Sequence, residues 1–363
     1  MKHLTFTVTN DLNYDQRMQR IGSTLVNEGY DVCLIGRKSK KSPPLTQQIF
    51  KQIRLFCFFE SGKMMYVEFN LRLFFYLLFS SSDCLVAIDL DTILPNYLAS
   101  VLRRKRRVYD AHELFTEQKE IITRPVIHSI WLAVERFAVP KFIHGYTVNE
   151  FIKNEFKKRY KVDYSVVKNL PALSTIVSIP DEDDPFIIYQ GAVNEGRSFE
   201  TLVPAMQWVN ARLVICGDGN FMSQVRNLIA QYHLEKKVEL KGMVSPSELA
   251  KLTPKATAAI MLFENTGLNQ YQSLANRFFD YIMAGVPQIC VNYPQYKSIN
   301  DQYEVASLIN DITPAAIADA LNNLLVNNVL RKKLQQNCLV AREELNWEKE
   351  QQVLIDFYKQ LFL

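Results

Sequence analysis

The stretch Asn269–Pro294, NQYQSLANRFFDYIMAGVPQICVNYP, decides the fold. It opens as a polar loop and becomes a short helix carrying Asn276, Arg277 and Asp280, which breaks at Ala284-Gly285. Val286-Pro287 then leads into the apolar strand Gln288–Asn292. A helix that returns at once to a buried strand is the repeating unit of a parallel α/β sheet. The loop feeds a helix N-terminus, where backbone N–H groups and the positive dipole end suit a phosphate. Arg277 sits in that first turn, and Asp280 follows on the same face at i,i+3. An anion cradle beside a carboxylate that can grip a diol suits a nucleotide-sugar.

The same alternation runs outward in both directions. Upstream, Leu4–Val8, Val32–Ile35, Ile53–Phe58, Cys84–Ile88, Arg107–Tyr109 and Gly145–Val148 read as strands with helices between several of them. One of those helices, Gln16–Glu28, stops at Gly29, a C-cap residue. The pattern pauses in LSTIVSIPDEDDP, within Pro171–Asp184, and restarts with Phe186–Tyr189, Arg212–Cys216, Val238–Leu240, Ala258–Leu262 and Gln288–Val291. Two α/β halves joined by a polar linker follow, divided at 1–170 and 171–345, with the last helix, 346–363, returning to the first. The alternative is one Rossmann domain plus an unrelated module, which the restart at Phe186 disfavours.

Bulk properties agree with an enzyme of two domains. A chain of 363 residues fits two domains of roughly 170 each. A net charge of +4 is too small to argue for nucleic acid. The six cysteines, Cys33, Cys57, Cys84, Cys216, Cys290 and Cys338, form no C-x-x-C pair and no zinc spacing, so buried reduced thiols are expected. Met1-Lys2-His3 leads straight into a strand, and no apolar run reaches the roughly 20 residues needed to span a bilayer. The expectation is a cytoplasmic protein.

Ser273–Pro287 closely resembles the donor-site signature of family 4 glycosyltransferases, S-L-P-N-K-x-F-[ED]-Y-x-x-A-G-x-P, with Ala275 for Pro and Arg277 for Lys. Tyr189–Leu202, YQGAVNEGRSFETL, resembles that family's Y-x-G-x-x-x-x-x-R-G-x-x-x-L, with Ser198 for Gly and Ala192 where many members carry a second Arg. The resemblance implies the GT-B fold, two Rossmann-like domains facing across a cleft, and a retaining, metal-independent transfer from a UDP- or GDP-sugar. It implies Arg197 and Arg277 on the diphosphate and Asp280 on the ribose. Gly191, Gln272, Ser273, Leu274 and Asn276 are expected around the donor, and Gly217 and Gly219 near the base. Gln272 stands where much of the family has a glutamate. Glu264 faces the same cleft, as a substrate ligand or as an edge acid.

In the first half, Val108–Glu117, VYDAHELFTE, resembles the family's Y-D-x-H-E segment. Its strand is expected to end at Tyr109, so that Asp110, His112 and Glu113 emerge at the edge where α/β sheets bind ligands. His112 and Glu113 are the catalytic candidates there. Arg17, in the Asn13–Arg17 loop region, with Asp91 and Asp110, is expected on the acceptor side. Capping a helix is an equal alternative for Asp89 or Asp91. The acceptor would be a glycan or lipid-linked glycan, with no cofactor and no metal. The aromatic helix Met64–Phe79 and the basic run Arg103–Arg107 suggest peripheral contact with the cytoplasmic membrane face, with core packing of the helix and a solvated helix end for the basic run as the alternatives. A nucleotide-sugar epimerase, or a weakly active subunit of a polysaccharide-assembly complex, are the competing functions.

Overall fold

The computed structural model describes the whole chain apart from residues 11, 14, 41, 177 and 181–183. Parts of the expected Asn13–Arg17 loop and of the Pro171–Asp184 linker therefore lie outside the described residues. The chain divides into two units, residues 1–169 with 350–363, and residues 170–349.

The first unit runs β1 (His3–Thr7), α1 (Gln16–Asn27), β2 (Asp31–Lys38), β3 (Lys51–Phe56), α2 (Gly62–Phe79), β4 (Cys84–Ile88) and α3 (Ile93–Leu102). It continues through β5 (Arg106–Ala111), α4 (Lys119–Ile122), α5 (Pro125–Ala138), β6 (Gly145–Thr147), α6 (Glu150–Tyr160) and β7 (Ser165–Val166). The strands form one parallel sheet in the order β3-β2-β1-β4-β5-β6-β7. Strand order reverses between β1 and β4, and at such a point the loops diverge and leave room for a ligand. β4 is buried along its whole length, as a central parallel strand covered on both faces must be.

The second unit repeats the design with β8 (Phe186–Gln190), α7 (Phe199–Ala205), β9 (Arg212–Cys216), α8 (Met222–Gln231), β10 (Val238–Gly242), α9 (Pro246–Leu252) and β11 (Ala258–Met261). After these come α10 (Leu268–Tyr271), α11 (Asn276–Ala284), β12 (Gln288–Val291), α12 (Pro294–Tyr303), β13 (Ala306–Ile309), α13 (Pro314–Val326), α14 (Asn328–Ala341) and α15 (Trp347–Phe362). Its parallel sheet reads β10-β9-β8-β11-β12-β13, with the reversal between β8 and β11. The greater part of α15 packs in the first unit. Tyr358 is buried there against Phe6, Tyr30 and Tyr146, while Gln351 accepts from the Thr24 hydroxyl.

Several expectations need correction. β5 extends to Ala111, so Asp110 does not emerge at the edge but lies fully buried within the strand. α7 starts only at Phe199, because Gly196 and Ser198, on either side of Arg197, adopt left-handed backbone (φ 80 and 61). On α15 the buried face is Leu354, Ile355, Tyr358 and Leu361, and Val353 is exposed. The basic run is no solvated helix end. Arg103 donates to the Ser80 carbonyl, Arg106 to Leu361, and Arg107 to Lys141 at 2.7 Å. Arg107 also lies over the Tyr97 and Phe142 rings. α2 buries Met65, Phe69, Leu73 and Leu77, one residue per turn, and leaves Met64, Val67, Leu71, Phe75 and Phe79 exposed. Among the described residues no helix is long and apolar enough to cross a membrane.

Candidate functional site

In the second unit the sequence candidates gather at the carboxyl edge of the sheet, around the reversal between β8 and β11. Arg277 occupies the first turn of α11 and is buried, 7% exposed. Its Nη1 donates to the Tyr189 hydroxyl at 2.6 Å, its Nη2 to the Leu262 carbonyl at 3.3 Å and its Nε to the Met261 sulfur at 3.1 Å. Its guanidinium lies over the rings of Tyr189 and Phe263, at 4.6 and 4.8 Å. A guanidinium has five N–H donors. Three are committed here, all to neutral groups. Arg197 approaches the same Phe263 ring at 4.1 Å, so one aromatic ring carries both cations.

The loops around them are built for close approach. Gly191 follows β8, and a Cβ there would come within 3.5 Å of Arg277 Nη1. Gly217 (φ 154) follows β9, and a Cβ on it would lie 1.8 Å from the Gly191 carbonyl oxygen. At Gly219 an added Cβ would lie 2.3 Å from the Val193 carbonyl. These two glycines are thus required by the packing of one loop on the other, whatever binds nearby.

α11 begins after Ala275, without a side-chain cap. The Ala275 N–H donates to the Tyr296 hydroxyl at 3.0 Å, and Ser273 Oγ lies 3.3 Å from the same oxygen. That tyrosine, unread in the sequence, pins the entry to the helix. Leu274 packs against the core and Asn276 is exposed. Asp280, one turn beyond Arg277, accepts from Gln190 Nε2 at 3.1 Å, and Gln190 in turn accepts from Thr253 Oγ1 at 2.7 Å. Gln272 accepts from Gln295 Nε2 at 3.1 Å, which makes a neutral amide pair where the family resemblance expects an acid.

In the first unit a second cluster forms at the other sheet reversal. Arg17 is 3% exposed and reaches Asp110 Oδ1 at 3.1 Å, the Val167 carbonyl at 3.1 Å and His112 Nε2 at 3.1 Å. Arg17 and Asp110, expected to face an acceptor, are instead buried against each other. His112 Nε2 also lies 3.1 Å from Asp110 Oδ2, off the hydrogen-bond axis, so this contact is a charge pair. The His112 N–H donates to Asp89 Oδ1 at 2.9 Å, and Thr9 donates to Asp91. Neither aspartate caps the helix after it. Glu113 accepts from Gln118.

Burial lowers the proton affinity of His112, but the charges of Asp110 and Asp89 outweigh it and raise the imidazole to about 9. Burial lifts Asp91 to about 6 and Asp89 to about 7, the latter against the pull of His112. Asp110 goes the other way. Burial favours its protonation, yet Arg17 and His112 hold it below the usual carboxylate range.

Among the residues that sequence reasoning missed are Tyr189, Gln190, Thr253, Met261, Phe263, Gln295 and Tyr296. Tyr189 and Phe263 did carry a signal, since Tyr189 opens the motif that contains Arg197 and Phe263 directly precedes Glu264.

Residues 176–339 match the family of glycosyl transferases group 1. No curated protein matches the chain. Among solved structures, the sucrose-phosphate synthase of Thermosynechococcus elongatus superimposes with a TM-score of 0.83 at 16% identity, covering 100% of this chain and 99% of that one. HepE of Anabaena, solved with UDP and glucose, gives 0.78 at 11% identity, covering 99% of each chain. WaaG, a glycosyltransferase involved in lipopolysaccharide biosynthesis, gives 0.73 at 14% identity over 97% of this chain and 99% of that one. These likenesses establish the GT-B fold of two Rossmann-like domains. The domain match marks residues 176–339 as a glycosyl transferases group 1 domain.

Proposed function

We propose that this enzyme transfers a sugar from a nucleotide-diphosphate sugar to a glycan or lipid-linked acceptor, with retention at the anomeric carbon and without a catalytic metal. The observation that carries the reading is the pair Arg197 and Arg277 on one phenylalanine ring, with Arg277 buried and, among the described residues, hydrogen-bonded only to neutral groups. A buried cation of this kind is stabilised by an incoming anion, and a diphosphate fits a guanidinium fork. HepE, of the same fold, was solved with UDP and glucose. Retention is carried over from the resemblance to family 4.

In this reading the bond from C1 to the diphosphate oxygen breaks while the acceptor hydroxyl oxygen bonds to C1 and passes its proton to the leaving diphosphate oxygen. Arg197 and Arg277 stabilise the charge that develops on the leaving diphosphate, a role a divalent cation would otherwise fill. Asp280 accepts from the ribose hydroxyls, and Gln272, Ser273, Leu274 and Asn276 border the donor.

Calorimetry with UDP and GDP in the presence of EDTA tests the reading. One of the two should bind, and Arg197→Ala should weaken it by about 1.5–3 kcal/mol. If neither nucleotide binds until magnesium or manganese is added, the metal-independent mechanism is wrong.

The same reading puts the enzyme at the cytoplasmic face of a membrane. It is supported by the exposed apolar stripe of α2 and by exposed Leu98, Val101 and Leu102 on the adjoining α3. Since Arg103, Arg106 and Arg107 donate to carbonyls and Lys105 pairs with Asp83, the apolar stripe carries the attachment. Phe75→Glu should therefore release the protein from anionic vesicles more than Arg104→Gln does. A wild-type protein that ignores such vesicles at every ionic strength has no peripheral attachment.

A further inference from the structure

The tripeptide Leu262-Phe263-Glu264 leaves β11 at the sheet reversal, and each of its residues is tied to a different part of the cation site. The Leu262 carbonyl accepts from Arg277. The Phe263 ring carries both guanidiniums, and its carbonyl accepts from the Tyr293 hydroxyl at 2.7 Å. The Glu264 N–H donates to the Gly196 carbonyl at 3.1 Å, which fixes the acid beside the turn that carries Arg197. Three consecutive anchors leave little freedom for the Glu264 backbone. The ring of Tyr293 packs on that of Tyr271 with centroids 5.0 Å apart, and both are half-buried. Burial first, and then the charge of Glu264, push the Tyr293 phenol up, which places the carboxylate near this aromatic pair.

A carboxylate cannot be a ligand of the phosphates that the arginines attract, because like charges at that range repel. It does accept well from hydroxyl groups, with the strength of a charged hydrogen bond. The hydroxyl of Tyr293 is already used by the Phe263 carbonyl, so the tyrosine pair offers ring faces, which suit the C–H faces of a pyranose. The chemistry beside the diphosphate site is therefore that of a sugar carrying free hydroxyls and no negative charge.

We propose that Glu264, with Tyr271 and Tyr293, reads the sugar of the donor and restricts it to a neutral hexose. The inference rests on the donor-site reading above, and the test separates the two. Affinities of the whole chain are measured by calorimetry for UDP, GDP, UDP-glucose, UDP-galactose, GDP-mannose and UDP-glucuronate. At least one neutral sugar nucleotide should bind roughly tenfold or more tighter than UDP-glucuronate. Glu264→Gln should weaken that neutral donor roughly ten- to a hundredfold, while the affinity for free UDP or GDP stays within about twofold. Glu264→Asp, which keeps the charge one methylene shorter, should recover part of the loss. Three results would overturn the proposal alone: a wild type that binds UDP-glucuronate as well as the neutral donors, a Glu264→Gln variant that binds every donor normally, or one that loses UDP as much as UDP-sugar. The last outcome would make Glu264 a support for Arg197. If the wild type binds neither UDP nor GDP, the donor-site reading fails and this inference fails with it.

Discussion

Arg17 and Arg277 are both buried arginines at a sheet reversal, yet one is neutralised and the other is not. Arg17 faces Asp110, itself fully buried, and the two charges form a closed pair inside the first unit. Arg277 has a tyrosine hydroxyl, a methionine sulfur and a carbonyl as hydrogen-bond partners. Burying a charge is expensive unless a partner compensates it. The first unit meets that cost with its own carboxylate, whereas the second surrounds its cation with neutral groups, and in the proposed reading a ligand's anion compensates it. Burial alone therefore does not distinguish a structural arginine from a binding one; the charge of the partners does.

The sharpest way to break this comparison is to make the same substitution at both sites. Arg17→Met leaves Asp110 buried without its main counter-ion and should destabilise the chain by about 3–5 kcal/mol. Arg277→Met leaves only neutral groups behind and should change stability by less than about 1 kcal/mol. Its penalty should fall instead on nucleoside-diphosphate affinity. Urea unfolding of each variant, paired with calorimetry on UDP and GDP, reads both quantities. Equal losses of stability at the two positions would end the distinction drawn here.

A second, smaller effect follows from the proton that the first unit holds. His112 is raised from 6.5 to about 9, with burial opposing and Asp110 and Asp89 outweighing it. The folded chain thus binds more protons than the unfolded chain between those values. Stability from this group is complete below about pH 6.5 and falls as pH climbs through about 9, by on the order of 1–3 kcal/mol. Asp89, lifted to about 7, favours the protonated side as well. Denaturation midpoints at pH 7 and pH 9 should differ in the wild type and converge in His112→Gln. The Arg277 site has no carboxylate or imidazole among its hydrogen-bond partners, so Arg277→Met should keep the wild-type slope. A His112→Gln variant that also keeps that slope would remove His112 as its source.

Much of this architecture was legible from periodicity. β4, β9 and β12 fall where short apolar runs place them, because polar residues or a glycine bound each run: Asp83 and Asp89, Arg212 and Gly217, Gln288 and Asn292. β7, with two residues, and β13, mostly half-buried at a sheet edge, carry too little pattern to be seen. The two arginine candidates, Arg197 and Arg277, were legible because each lies beside a loop and a helix start close by in the chain. Their supports were not, since Tyr189 and Met261 lie 88 and 16 residues away from Arg277 and meet it only through the sheet order. Arg103–Arg107 misled for the same reason. Nothing local in a run of five cations reveals that the carbonyls of Ser80, Lys141 and Leu361 await three of them.

The smallest effect expected is at Asp280, and its sign is informative. Thr253 donates to the Gln190 carbonyl oxygen, which turns the Gln190 amide nitrogen toward Asp280 Oδ2. In Asp280→Asn the new amide oxygen can keep that bond, so the amide nitrogen takes the place of the second carboxylate oxygen. A ribose hydroxyl that had donated to a charged acceptor then meets a donor instead. UDP or GDP affinity should fall by about 1–2 kcal/mol, the difference between a charged hydrogen bond and none. Inorganic pyrophosphate has no ribose and gains from the loss of a nearby negative charge, so its affinity should hold or rise slightly. Calorimetry on the nucleotide and on pyrophosphate separates the two contributions. Equal weakening of both would mean that Asp280 acts on the phosphate arginines and not on the ribose, and the second unit's site would then contain a carboxylate partner after all.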